Sequence, residues 1–220
     1  MSYHSKNVRN VEFAIDEYYH IYNRGVDKRT IFSQKHDLDR FLKCMIEFNN
    51  VEPIGSLYQL SFEKHGNKNS KSNLVDIVCY CLNENHFHLI LRCLKDNSIS
   101  EYMKRIGGGY ANYFNIKYRR SGALFQGKFK SRHIDSNAYL THLSAYVNLN
   151  NKVHKNNGLY GSSWQEYLDN RQNGLCKKEI ILKQFSNSID YKNFAEESLG
   201  NILERKDRFR EMETLLLEEK

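Results

Sequence analysis

A chain of 220 residues with 40% apolar content can bury one good-sized domain, or one domain and an appendage. Its longest apolar runs fall far below bilayer-spanning length. The opening MSYHSKNVRN has no apolar stretch of the secretory type, so a soluble cytoplasmic protein with no membrane partner is expected. A net charge of +7 and a pI near 9.0 favour a polyanionic partner without identifying one.

The aromatic, β-branched segment YYHIYNR over 18–24 predicts a first strand, ended by Gly25. A helix follows from about Asp37, with Leu38, Phe41, Leu42, Met45, Ile46 and Phe48 as its buried stripe. Residues 56–63 read as a second strand and 65–73 as a polar loop. Strands are predicted over 74–82 and 86–94, joined by a tight turn at Asn83-Glu84-Asn85. A helix over about 98–118 is expected to bend at Gly107-Gly108-Gly109, because each glycine weakens a helix by roughly 1 kcal/mol relative to alanine. A fifth strand is predicted near 129–134, and Ser136 can cap a helix reaching about Asn150. Residues 151–175 look irregular. Beyond 177 the pattern is of short helices, the last near 201–219. This order suits an α+β fold. The nearest template is a ferredoxin-like sandwich, an antiparallel sheet with helices on one face, plus a C-terminal helical appendage. The division predicted is a main domain over 1–150 and an irregular linker with a helical extension over 151–220.

The pair His86-Phe87-His88 is the most informative feature. On a strand, alternate residues share a face, so both imidazoles can reach one ion while Phe87 turns to the core. Two unliganded core histidines, or a structural zinc site with Cys79 and Cys81, are competing readings. The zinc reading has the right residue types without the usual spacing. The five cysteines, Cys44, Cys79, Cys81, Cys93 and Cys176, have no secreted-scaffold pattern and read as reduced thiols.

From Lys104 to Arg132 the chain carries Lys104, Arg105, Lys117, Arg119, Arg120, Lys128, Lys130 and Arg132, with no acidic residue and with aromatic residues interleaved. Cations of this kind neutralise phosphates, and aromatic faces stack on unpaired bases. Arg24 and Arg92 are further candidates for holding a DNA strand. On the predicted helix after Ser136, Tyr139 and Tyr146 share a face and Asn150 lies one turn beyond Tyr146.

Together the segments YHIYNRG (19–25), CYCLNENHFHLILR (79–92), SGALFQGKFKS (121–131) and YLTHLSAYVNLN (139–150) resemble the single-tyrosine HUH transposases, particularly the REP-associated tyrosine transposases, over roughly 15–150. The resemblance implies an enzyme that cleaves and rejoins single-stranded or hairpin DNA through a 5′-phosphotyrosine link. Tyr146 would be the nucleophile, and His86, His88 and Asn150 would bind Mg²⁺ or Mn²⁺. Tyr139 lacks the matching asparagine. Relatives usually carry Met-Pro where this chain has Asn83-Glu84, a change expected to alter the turn only. Members of the group occur as monomers and as homodimers. The alternative is a non-catalytic DNA or RNA hairpin-binding protein on the same fold.

Overall fold

The structure, a computed structural model, describes residues 12–55, 57, 72–154, 158–169 and 174–218, with side chains described as far as 205. Six elements form the central unit: β1 (Tyr18–Arg24), α1 (Lys35–Glu47), β2 (Val75–Asn83), β3 (His86–Cys93), α2 (Ser98–Lys117) and β4 (Lys130–Ile134). The strands are antiparallel in the order β4-β1-β3-β2, and a short β5 (Tyr160–Ser162) extends the β2 edge. This βαββαβ order is the expected ferredoxin-like topology. Apart from Leu57, the strand expected over 56–63 lies outside the described residues, as does most of the loop over 65–73.

Alternation along the strands sorts the side chains. Tyr19, Ile21, Phe87, Leu89 and Leu91 are buried on the face covered by α1 and α2. Phe41 of α1 sits 5.3 Å from the Phe87 ring and 5.0 Å from Tyr110 of α2. The Tyr102 hydroxyl donates to the Met45 carbonyl at 2.9 Å, locking the two helices together. In α1, Cys44 takes a core position, whereas Ile46 is exposed. The expected bend in α2 does not occur; the helix is continuous over 98–117. Gly109 has a packing reason, because a Cβ there would lie 2.6 Å from the Phe48 ring. At Gly107 and Gly108 a Cβ would meet nothing within 4 Å. Those two carry the helix-weakening cost of glycine with no packing gain.

Helices also cover the second face of the sheet. Ser136 caps α3 (Asn137–Asn148), its hydroxyl accepting from the Tyr139 amide, as predicted. The helix closes at Asn148 instead of Asn150, and Asn150 opens a separate turn, α4 (Asn150–Val153). The stretch expected to be irregular contains β5 and α5 (Trp164–Leu168), and α6 (Glu179–Leu182) leads into α7 (Ser188–Glu218), which starts well before the predicted helix. No helix among the described residues is long and apolar enough to cross a membrane.

A buried polar network ties α3 to the C-terminal segment. Asn148 donates to the Tyr191 hydroxyl at 2.9 Å and accepts from Ser163 Oγ at 2.6 Å; Ser163 Oγ in turn receives the Tyr80 amide at 2.9 Å. Tyr191→Phe strands the buried Asn148 donor, and a lost buried partner costs about 1–3 kcal/mol. Chemical denaturation should show a loss of that size; an unchanged midpoint would mean the network does not hold α3.

Candidate active site

The register of β1 against β3 places Tyr22 opposite His88 and Arg24 opposite His86. On the other side of β1, β4 sets Lys130 opposite Tyr22 and Arg132 opposite His20. Directly opposed residues of antiparallel strands share a face. One sheet face therefore carries the two histidines flanked by Arg24, Lys130 and Arg132. Over this face α3 lays Tyr146, whose ring meets the His88 ring edge-on at 5.7 Å. Tyr146 and the histidines converge within a single chain. Tyr139 is placed elsewhere, under the Arg132 guanidinium at 5.4 Å.

Hydrogen bonds fix how the imidazoles point. Asn85 donates its amide to the Lys28 carbonyl at 3.1 Å, which turns its Oδ1 toward His86 Nδ1 at 2.7 Å. Nδ1 must then carry the proton, leaving a lone pair on Nε2. That Nε2 lies 3.2 Å from Asn150 Oδ1, and the Asn83 amide nitrogen reaches both atoms, at 3.1 and 2.8 Å. His88 Nδ1 is 2.8 Å from Nε2 of His20. A proton on His88 Nδ1 would leave its own Nε2 free as well. Such outer partners orient metal-binding histidines. Asn150 Nδ2 is buried with no partner.

Two imidazole nitrogens and an amide oxygen, all neutral, with an orphaned amide beside them, form a donor set suited to one divalent cation. Among the described residues no three His, Cys, Asp or Glu side chains form a cation-binding group, so Cys79 and Cys81 do not complete a zinc site with the histidines. Both thiols are buried; Cys81 is pushed up to about 12, mainly by burial.

Burial also governs the titration of the site. It lowers His86 and takes His88 well below its ordinary value, with the neighbouring histidines adding to the effect on His88. His20 falls to about 4 through burial first and the Arg132 charge second. For Tyr146 burial raises the phenol, and the nearby Asn150 side chain works against that rise. The buried histidines are neutral in the folded protein near neutral pH. Below about pH 6.5 the unfolded chain takes up protons first, so stability must fall as pH drops toward 4. The His20 shift alone predicts a loss of about 2 kcal/mol between pH 7.5 and 5. Denaturation midpoints compared at the two pH values check this, and equal midpoints would contradict the burial of neutral imidazoles.

The site opens into a pocket of about 570 Å³ lined by Tyr22, Arg24, Lys28, His86, His88, Gln126, Lys130, Tyr146 and His154, among others, with no carboxylate. Arg24 is held there by Gln126. Lys104 and Lys128 line a second pocket on the opposite side of the sheet. Lys117 donates to the buried Asp37 at 2.6 Å, and Arg105 binds Glu101 at 2.8 Å and the Asn50 carbonyl. Arg120 lies over the Phe114 ring, Arg119 is exposed just beyond α2, and Arg92 pairs with Asp16 and Asp76 at the far end of β3. The sequence analysis missed His20, Tyr22, Lys28, Asn83 and His154. Tyr22 had a signal available, as an even-numbered position on the predicted first strand, whereas Asn83 reads from sequence as a turn residue. Lys28, with φ 59, and His154, in a turn, had none.

A ferredoxin-like sheet presenting paired histidines and a tyrosine in a cationic cleft suits a polyanionic partner. The chain belongs to the IS200-like transposase family, whose family model matches residues 15–150. No curated protein matches the sequence significantly. Solved structures do, among them a REP-associated tyrosine transposase bound to a REP hairpin. That protein is 11% identical with a TM-score of 0.49, over 80% of this chain and 90% of the other. At that identity the likeness carries no functional weight.

Proposed function

We propose that this transposase cuts and rejoins single-stranded DNA through a tyrosine–DNA bond formed by Tyr146. The observation that carries the reading is the convergence of the Tyr146 ring on His88, 5.7 Å away, at the floor of a pocket whose charged lining is entirely cationic. Arg24 and Lys130 are placed to draw a phosphodiester onto that floor. The Tyr146 oxygen attacks the phosphorus, an O–P bond forms, and the bond to the neighbouring 3′-oxygen breaks. The phenol proton is lost to water and the departing 3′-oxygen gains one. The product is a 5′-phosphotyrosine link and a free 3′-hydroxyl. The linkage retains the energy of the broken phosphodiester, so another 3′-hydroxyl can reverse the step without ATP.

His86, His88 and Asn150 would hold the divalent ion, Mg²⁺ or Mn²⁺. When bound, the ion would polarise the scissile phosphate and offset charge building on its oxygens. Asn150 would have a second task, since its nearby, otherwise unpartnered amide favours the Tyr146 phenolate that burial opposes. A hairpin beside the cleaved strand is the proposed recognition element, with Arg132 beside the cleft and Lys128, Lys104, Arg105, Lys117, Arg119, Arg120 and Arg92 supplying a wider field. The test is a denaturing gel of the protein with labelled hairpin DNA bearing single-stranded flanks, in Mg²⁺ or Mn²⁺. A covalent adduct mapping to Tyr146 is expected. Tight binding with no adduct would instead support a non-catalytic hairpin-binding protein.

A further inference from the structure

The second pocket, on the opposite face from the histidines, has no role in the chemistry above. Its volume is about 380 Å³, within the roughly 300–1,000 Å³ of small-ligand sites. Phe41, Phe87, Phe125 and Phe129 contribute aromatic walls, Lys104 and Lys128 contribute charge, and no acidic residue lines it. Lys104 is exposed and makes only a 3.9 Å contact with Glu101; Lys128 is exposed.

We infer that this pocket takes one unpaired nucleobase of the same DNA strand whose backbone is cut at Tyr146, a reading that rests on the proposed function. Three observations support it. The first is chemistry: aromatic walls bind the π-face of any base, and lysines at the mouth meet the attached phosphates. The second is continuity. Asn23 lines both pockets, and its amide donates to the Gly127 carbonyl at 3.3 Å. Around Gly127, Gln126 and Lys130 line the catalytic pocket while Phe125, Lys128 and Phe129 line the second one. Gly127 has φ +68 and no side chain, so a strand can cross there from one pocket to the other. The third is the floor. Gly107 and Gly108 line the pocket, and neither has a packing reason to be glycine. Their missing side chains let a flat ring approach the helix.

The experiment uses the full chain carrying Tyr146→Phe, so that binding is read without cleavage. The probe is a fluorescent hairpin with single-stranded flanks, in which one abasic site is moved along the flanks. Affinity is read by anisotropy. One abasic position should weaken binding roughly tenfold, the effect of one lost stacking contact. Gly107→Leu, which fills the pocket where the structure leaves room, should weaken the intact probe by a similar factor and abolish its sensitivity at that position. Its melting temperature should equal or exceed that of the parent, because leucine favours helix. Phe129→Ala should lose the same positional sensitivity. Uniform tolerance of abasic sites, or Gly107→Leu retaining the full positional effect, overturns the pocket. Absence of a covalent adduct in the unmutated protein overturns the chemistry at Tyr146 and leaves this binding result standing by itself.

Discussion

Tyr146→Phe should give a protein that still folds and binds single-stranded DNA but forms no covalent adduct with it. The substitution removes one oxygen and nothing else. On α3 it is the Tyr146 ring that meets His88, at 5.7 Å, while Tyr139 is seven residues away under Arg132. Removing a nucleophile typically lowers turnover by 10⁴- to 10⁶-fold. Cleavage of a labelled strand should fall on that scale, while binding by anisotropy and the melting curve stay close to the parent. Tyr139→Phe provides the contrast, because its hydroxyl should be dispensable for the adduct. If Tyr146→Phe still forms adduct and Tyr139→Phe does not, the roles are reversed and the α3 geometry has been misread.

Much of this site was legible because its strongest signals are local. The His-x-His pair lies on a strand whose alternation fixes the face, and β1 was bounded correctly at 18–24 by its aromatic run and the glycine after it. The Ser136 cap set the start of α3 and hence the side on which Tyr146 falls. What escaped detection depends on pairing between distant segments. His20 reads as one more aromatic position until β1 lies beside β3 and its ring meets His88. Asn83 reads as a turn residue; in three dimensions it is buried and reaches both His86 and Asn150. The basic run looked like a single patch. Folding divides it, because Lys117 neutralises a buried aspartate while Lys128 and Lys130, two residues apart, line different pockets. The glycine triplet was misread as a bend because propensity counts only the cost of glycine. The packing of α2 on α1 and on the sheet outweighs it.

The largest effect on metal binding should come from His86 and His88 together. Titration of the protein with Mn²⁺, followed by calorimetry or by the loss of free-ion paramagnetic resonance, should give one site. In the His86→Ala, His88→Ala double variant that site should weaken by roughly 100-fold or more, because two of three donors are gone. His20→Ala removes the partner that orients the His88 ring and should weaken it less, by about 10- to 100-fold, as outer partners of ligating histidines do. Cys79→Ala should change nothing, since that thiol is buried among Tyr167 and Tyr191, on the far side of Cys81 from the histidines. The order of the three separates the competing accounts. A structural zinc site would make Cys79 essential, and a pair of plain core histidines would leave Mn²⁺ binding unaltered in the double variant. His88 is buried and His86 half-buried, both as neutral rings, so removing them enlarges the pocket without leaving an unpaired charge. The double variant should therefore melt lower yet cooperatively, which keeps lost affinity distinct from lost structure.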